Sequence, residues 1–571
     1  MVACASGETR STSKFTIYLL KYRQSLLPKG ATLAPVIIAT DKTQLTQFSG
    51  NKAAYPVYLT VGNIPKATRR KPSKHACVLI AYLSVDKMDR SRINDQEHRS
   101  RVQRLFHESM RIVLEPLIDA GTTGIEMTSS DGAVRRVHPI LTCYVADYPE
   151  QCLVACTKYG TCPKCRASFK QLGDPLPTEK RTQKWTETII KEGKNQANGN
   201  PQKLHTYCMS FDVAGTIYRP FWEGFPFCDI HSSITPDVLH QLYQGVFKHL
   251  VGWCQNILTP QELDRRIRVL PPAFGVRRFK NGIFALSQIS GPERKNMAKV
   301  LLGCLIGCMP LKGISAVTAL LDFIYISQYS THDSITLGYM QDALDRFHRN
   351  RDYFIATLVR EDFNIPKFHS LLHYIESIEK FGTTDNYNTE MFERLHIDFA
   401  KHGWRASNQR DEFPQMIRWL SRQEKIMIFE THQKTILQHQ VSDSEITSQG
   451  STVKKKQLIS IAKYPNYPKR QLSLIQERHQ APDFTYYLKV FLMAFTTKQI
   501  QQRRIDETDL PFKQVDVYNM FRFHPEGIQD TEEESDLVKA LPRSAENPDG
   551  QFDPVIVIVG NEAESTGLAG L

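Results

Sequence analysis

Residues Pro35 to Lys66 read PVIIATDKTQLTQFSGNKAAYPVYLTVGNIPK. The apolar, β-rich run from Pro35 to Thr40 delivers a carboxylate, Asp41, to its end, and a Gly/Asn turn leads to a second strand-like run, Tyr55 to Val61. Metal-dependent phosphoryl chemistry uses a carboxylate at the tip of a central strand, although Asp in that place is also an ordinary turn former. A third run, Ala76 to Leu83 (ACVLIAYL), follows, and the turn-rich connections predict an antiparallel meander. The connection PKATRRKPS carries Lys66, Arg69, Arg70 and Lys71, either a grip for a phosphate backbone or a solvated charged loop.

Working outward, the chain of 571 residues, 41% of them hydrophobic, has room for two to four domains or for one domain with a large insertion. No run approaches the roughly 18 apolar residues of a membrane span, so no membrane partner is expected. The start, MVACASGETRSTSK, lacks the apolar core of a signal peptide. Twelve cysteines dispersed over this length suit reduced thiols or a metal site rather than disulfides, which fits the cytosol or nucleus. The formal net charge of +12 is compatible with a polyanionic partner, because Lys and Arg displace counterions from nucleic acid phosphates.

Upstream, residues 15–27 (FTIYLLKYRQSLL) predict one helix within a leader spanning 1–34. Downstream, Asn94 to Leu117 places Val102, Leu105, Phe106, Met110, Val113 and Leu114 at helical spacing. A hairpin signal at Ser130-Asp131-Gly132 then runs into Pro139 to Ala146, a fourth apolar strand that also ends in a carboxylate, Asp147. Three antiparallel strands, a helix and a further strand is the element order of the ribonuclease H fold, an α/β mixed sheet with flanking helices. Its first and fourth strands lie parallel and adjacent, which would bring Asp41 and Asp147 to one sheet end.

Cys162-Pro163-Lys164-Cys165 supplies half of a tetrahedral zinc site, or a redox dithiol. Cys152, Cys156, Cys304 and Cys308 read as core residues on helices. Residues 171–202 are polar and predict a long loop, and Thr235-Pro236 starts a helix with Asp237 and His240 on one face. From about residue 262 to 360 helical periodicity dominates, predicting a large all-α insertion. The helix Pro366 to Phe381 then sets His369 and His373 at i and i+4, able to complete a Cys₂His₂ zinc site with Cys162 and Cys165. A last segment, Asn388 to Asn408, offers Glu390 and, one turn later, Glu393, either of which could complete a carboxylate triad.

Four blocks in order, TDKTQLTQFSGNKAAYPVYLTVGNIPKATRRKPS, VADYPEQ with CPKC, TPDVLHQLYQGVFKH, and YNTEMFERLHIDFAK with QMIRWLSRQEK, resemble the Plavaka transposases, fungal relatives of the CACTA elements. The likeness runs from about residue 33 to 425. It implies a DNA transposase and nuclease with a two-metal DDE centre, in which Asp41, Asp147 and Glu390 hold Mg²⁺ or Mn²⁺ and Glu393 is the rival third ligand. Asp237 and His240 resemble the accessory D-x-x-H signature of the CACTA superfamily. Cys162, Cys165, His369 and His373 resemble the zinc site that braces the insertion in the related V(D)J recombinase.

The implied organisation is a leader (1–34), a first core part (35–165), a mostly helical insertion (166–365), return helices (366–430) and a partly loop-rich extension (431–571) with a short strand, VIVIV, near its end. Double-stranded DNA, a homo-oligomer and a nuclear location are the expected context, or a cytoplasmic one for a decayed gene fragment. Relatives carry longer flanks, so both ends are expected to be shortened. The alternative function is a catalytically inactive, domesticated DNA-binding or zinc-stabilised interaction protein.

Overall fold

The computed structural model describes residues 24–25, 27–46, 52–86, 91, 93–129, 132–215, 217, 219–273, 276–286, 288–445, 459–462, 464–478, 482–497, 510–523, 536–541 and 551–552. The predicted leader helix lies almost wholly outside them, as do Ser130, Asp131 and the VIVIV run. The chain divides into two compact units, Met1–Lys434 and Thr435–Leu571.

The first unit is built on a mixed five-stranded sheet: β1 (Thr32–Thr40), β2 (Pro56–Val61), β3 (Cys77–Tyr82), β4 (Ile125–Thr128) and β5 (Val134–Val145), in the spatial order β3-β2-β1-β5-β4. The meander is present, with β1 antiparallel to β2 and β2 antiparallel to β3. β1 and β5 run parallel, paired from Thr32↔Val137 to Ala39↔Val145 with a one-residue shift between Val36 and Ile37. Asp41 and Asp147 each stand two residues beyond that final pair, so both leave the sheet at the same end.

Alternation along β1 decides what covers each face. Val36 and Ile38 pack with Phe106, Met110 and Leu114 of the helix Asp95–Leu114, which Asn94 caps by accepting from Glu97 N at 2.8 Å. Ile37 and Ala39 face the other way, onto Phe381, Tyr387, Phe392 and Leu395, so residues more than 340 positions later return to the opposite face. Each fully buried aliphatic side chain contributes roughly 1.5–3 kcal/mol, enough in sum to hold the returning helix Thr389–Leu395 on the sheet.

From Tyr148 to Glu445 the described residues form helices joined by turns and isolated bridges. The largest core of the unit lies here, with Trp253, Phe323, Phe347, Phe354 and Phe368 among its members. The loop expected over residues 171–202 is corrected by two helices, Gln183–Ala197 and Pro201–Ser210. Thr182 caps the first, and Ile189, Ile190, Ala197, Leu204, Cys208 and Val213 close a small core between them. This apolar spacing is sparse enough that the surrounding Lys, Thr and Asn residues obscure it.

The second unit holds a four-stranded antiparallel sheet ordered Gln551–Phe552, Asp536–Leu541, Met520–Phe523, Ile459–Ile461, and a separate pair, Tyr467–Gln471 with Gln514–Val517. Two helices, Leu472–Arg478 and Phe484–Thr497, accompany them. Among the described residues no helix is long and apolar enough to cross a membrane.

Candidate active site and metal centre

Asp41 follows β1 directly and is half-exposed, at 39% for its side chain. Asp147 follows β5 and caps the helix Tyr148–Val154, its Oδ1 accepting from Glu150 N at 3.1 Å. Burial pushes the Asp41 carboxyl up to about 7, with Asp147 and then Glu393 adding to it. Asp147 is also raised, first by burial, against the cap hydrogen bond and His240, which lower it. The two acids therefore share one electrostatic environment.

Behind them Thr40 Oγ1 contacts Tyr144 OH at 2.8 Å and donates to Glu150. Burial lifts Glu150 to about 8, so a third carboxyl is held protonated or shared just inside the sheet end.

Asp237 and His240 come from a ten-residue π-helix, Val238–Phe247, a geometry rare in proteins and enriched at functional sites. The cap of this helix is Asp237 rather than the Thr235-Pro236 pair. Asp237 accepts from Leu239 N at 3.0 Å, His240 N at 3.0 Å, His240 Nδ1 at 2.6 Å and Thr389 Oγ1 at 2.7 Å. Both of its oxygens are thereby occupied by hydrogen bonds within the protein.

His240 turns its other nitrogen, Nε2, to Glu393 Oε1 at 3.3 Å. Burial alone would lower this imidazole. The hydrogen bond and charge of Asp237, helped by Glu393 and Asp147, outweigh it and raise the group to about 9. At neutral pH His240 is thus an imidazolium linking Asp237 to Glu393.

The two glutamates diverge. Glu390 pairs with Lys295 Nζ at 2.5 Å and accepts from Asn388 Nδ2 at 3.0 Å, facing the helix Gly291–Leu305. Glu393 faces His240 and lies within the field of Asp41, Asp237 and Asp147; burial, opposed by His240, raises its carboxyl. A residue not anticipated, His396, places Nδ1 4.0 Å from Asp41 Oδ2, with its buried Nε2 unpartnered among the described residues. It lies one helical turn after Glu393, and that i+3 spacing was the available signal.

The four basic residues proposed to grip DNA are mostly engaged elsewhere. Arg69 is buried, with Nε donating to Ile64 O at 3.0 Å and its NH groups to Asn386 O at 3.1 Å and Oδ1 at 2.8 Å. Lys66 and Arg70 pair with Asp385 at 3.1 and 3.3 Å. Lys71 lies beside them at the end of the same turn. Residues Lys66–Arg69 thus brace the segment that leads into the glutamates.

Arg69→Ala is expected to cost about 2–4 kcal/mol in chemical unfolding, since it strands buried acceptors. The salt dependence of DNA binding should not change. A slope lowered by about one without destabilisation would contradict the bracing role.

The cysteine pair finds its partners. Cys162 Sγ lies 3.2 Å from His373 Nε2 and Cys165 Sγ 3.2 Å from His369 Nε2. All four ligand atoms lie within 4.8 Å of one another in a buried site. Among the described residues this is the group drawn together so tightly; the carboxylates stand further apart.

Hydrogen bonding from Cys162, then from the two imidazoles, holds Cys165 well below the usual thiol range, while burial pushes Cys162 up. Arg181 Nε donates to Cys162 O and Cys165 O, both at 3.0 Å, fixing the turn. The helix carrying the histidines is broken into Pro366–His369, a 3₁₀ turn Ser370–His373, and Tyr374–Phe381, a tightening that still aims both rings at the thiols. Two soft sulfurs and two imidazoles in this arrangement fit a metal such as zinc.

Among known families, the model of the Plavaka transposase matches residues 9–254. Comparison with curated proteins returns no match.

Proposed function

From the match of residues 9–254 to the Plavaka transposase family, we propose that this chain is a transposon-derived DNA transposase or nuclease with a ribonuclease H-like core and a helical insertion. The observation that carries the catalytic reading is the parallel pairing of β1 and β5, which leads Asp41 and Asp147 out of the same sheet end, where Asp147 and Glu393 both act on the Asp41 carboxyl. Double-stranded DNA is the substrate, engaged by an oligomer in the nucleus.

We assign the third carboxylate to Glu393 in preference to Glu390. Asp147 and Glu393 both raise the proton affinity of Asp41, and three such hard oxygen donors fit Mg²⁺ or Mn²⁺, because a cation relieves the repulsion that a proton otherwise relieves. A pair of such ions would activate the attacking oxygen and stabilise the leaving one in an in-line displacement. The chain's own part is positional. Asp237 fixes the ring of His240 through Nδ1, and His240 Nε2–H orients Glu393 toward the aspartates. Thr40, anchored by Tyr144 and Glu150, sets the direction in which β1 releases Asp41. The zinc site ties the end of the insertion to its start and so returns Thr389–Leu395 to the sheet.

The assignment is tested by paired isosteric changes. Glu393→Gln is expected to lower Mn²⁺-dependent nicking of supercoiled plasmid by more than about 10²-fold, the upper range for outer-sphere ligand partners. Glu390→Gln should lower it about tenfold or less, through the lost Lys295 pair. The reverse order would return the role to Glu390.

A further inference from the structure

Beside Glu390 lies a cleft of about 380 Å³ whose lining includes Tyr243, Lys295, Lys299, Tyr325 and Gln328. We infer that this cleft is a subsite for a single unpaired nucleotide of the DNA strand that leaves the active site. Its phosphate is met by Lys295 and Lys299, and its base lies against Tyr325. The inference rests on the proposed DNA-cleaving role of the neighbouring carboxylates.

The walls of the cleft are extensions of the elements that build that site. Tyr243 is one turn beyond His240 on the π-helix, and Lys295 reaches from the helix Gly291–Leu305 to Glu390, three residues before Glu393. The cleft therefore adjoins Glu390, one helical turn before Glu393.

The chemistry of the lining is that of single-strand recognition, which combines cations that follow the backbone with aromatic faces for stacking. Lys295 and Lys299 are four apart on one helix face, with Glu390 as the ion-pair partner of Lys295 at the edge of the cleft. Lys295 also stands over the ring of Tyr243, at 5.5 Å, so this ammonium is directed by both the ring and Glu390. Tyr243 is buried and tied to Gln328 by a 3.0 Å hydrogen bond, forming a fixed floor.

Tyr325, on the helix Leu311–Ile326, is 36% exposed, and among the described residues its ring stacks on no other. The volume suits one small ligand and excludes a duplex.

The test uses fluorescence anisotropy of the full chain with two labelled probes, a blunt duplex and the same duplex with a single-stranded 3′ overhang, in Ca²⁺. Wild type should prefer the overhang. Tyr325→Ala should weaken overhang binding about tenfold, the scale of one lost base stack, and leave the blunt duplex unchanged. Lys299→Ala should lower the salt slope for the overhang probe by about one, and Lys299→Arg should restore it.

No preference in wild type, or equal effects of the variants on both probes, would overturn the subsite. Plasmid nicking by the same wild-type preparation reads the catalytic proposal separately. Overhang-selective binding without nicking would overturn the nuclease and leave the subsite standing.

Discussion

Asp147→Ala should abolish Mn²⁺-dependent nicking of supercoiled plasmid, a loss above about 10²-fold, since it deletes a carboxylate that no neighbour can replace. The companion change Asp147→Asn separates chemistry from folding. Asp147 caps the helix Tyr148–Val154, and losing an N-cap costs about 1 kcal/mol, whereas Asn caps as well as Asp does. The Asn variant should thus melt at or above the wild-type temperature, relieved of repulsion from Asp237, yet be as inactive as the Ala variant. Wild-type and variant proteins that nick alike would end the catalytic proposal.

The second large effect is expected at the Cys/His site. Cys165→Ser should remove stoichiometric zinc, read by elemental analysis, and lower the melting temperature by more than about 10 °C. Structural zinc contributes on the order of 10 kcal/mol in small zinc domains, comparable with the whole stability of an ordinary domain. Cys308→Ser is the control: this half-buried thiol packs at the edge of the helical core, away from the quartet. Equal zinc in wild type and both variants would show that the four residues hold no zinc. Chelation of wild type should reproduce the Cys165→Ser melting curve, because both remove the tie between the two ends of the helical segment.

The sheet was legible because β1, β2, β3 and β5 carry dense β-branched and aromatic runs bounded by turn residues, and one helix with clear periodicity lies between them. The Cys/His site was legible because C-x-x-C and an i,i+4 His pair each leave half of a tetrahedron to fill. Hidden instead were interactions set by tertiary packing. Glu390 and Glu393 lie one turn apart on the same short helix, and Lys295, 95 positions away from Glu390, and His240 distinguish their directions. The basic turn from Lys66 read as either a phosphate grip or a solvated loop, and its partners Asp385 and Asn386 were out of view because they lie over 310 residues later. The polar stretch 171–202 hid two helices because their core is small and its apolar residues are widely spaced.

The most direct measurement is an anomalous difference map from crystals of the wild-type protein soaked in Mn²⁺. The account predicts manganese bound among Asp41, Asp147 and Glu393, with Glu390 still turned to Lys295. Manganese held by Glu390, or no manganese between Asp41 and Asp147 at saturating concentration, would contradict it.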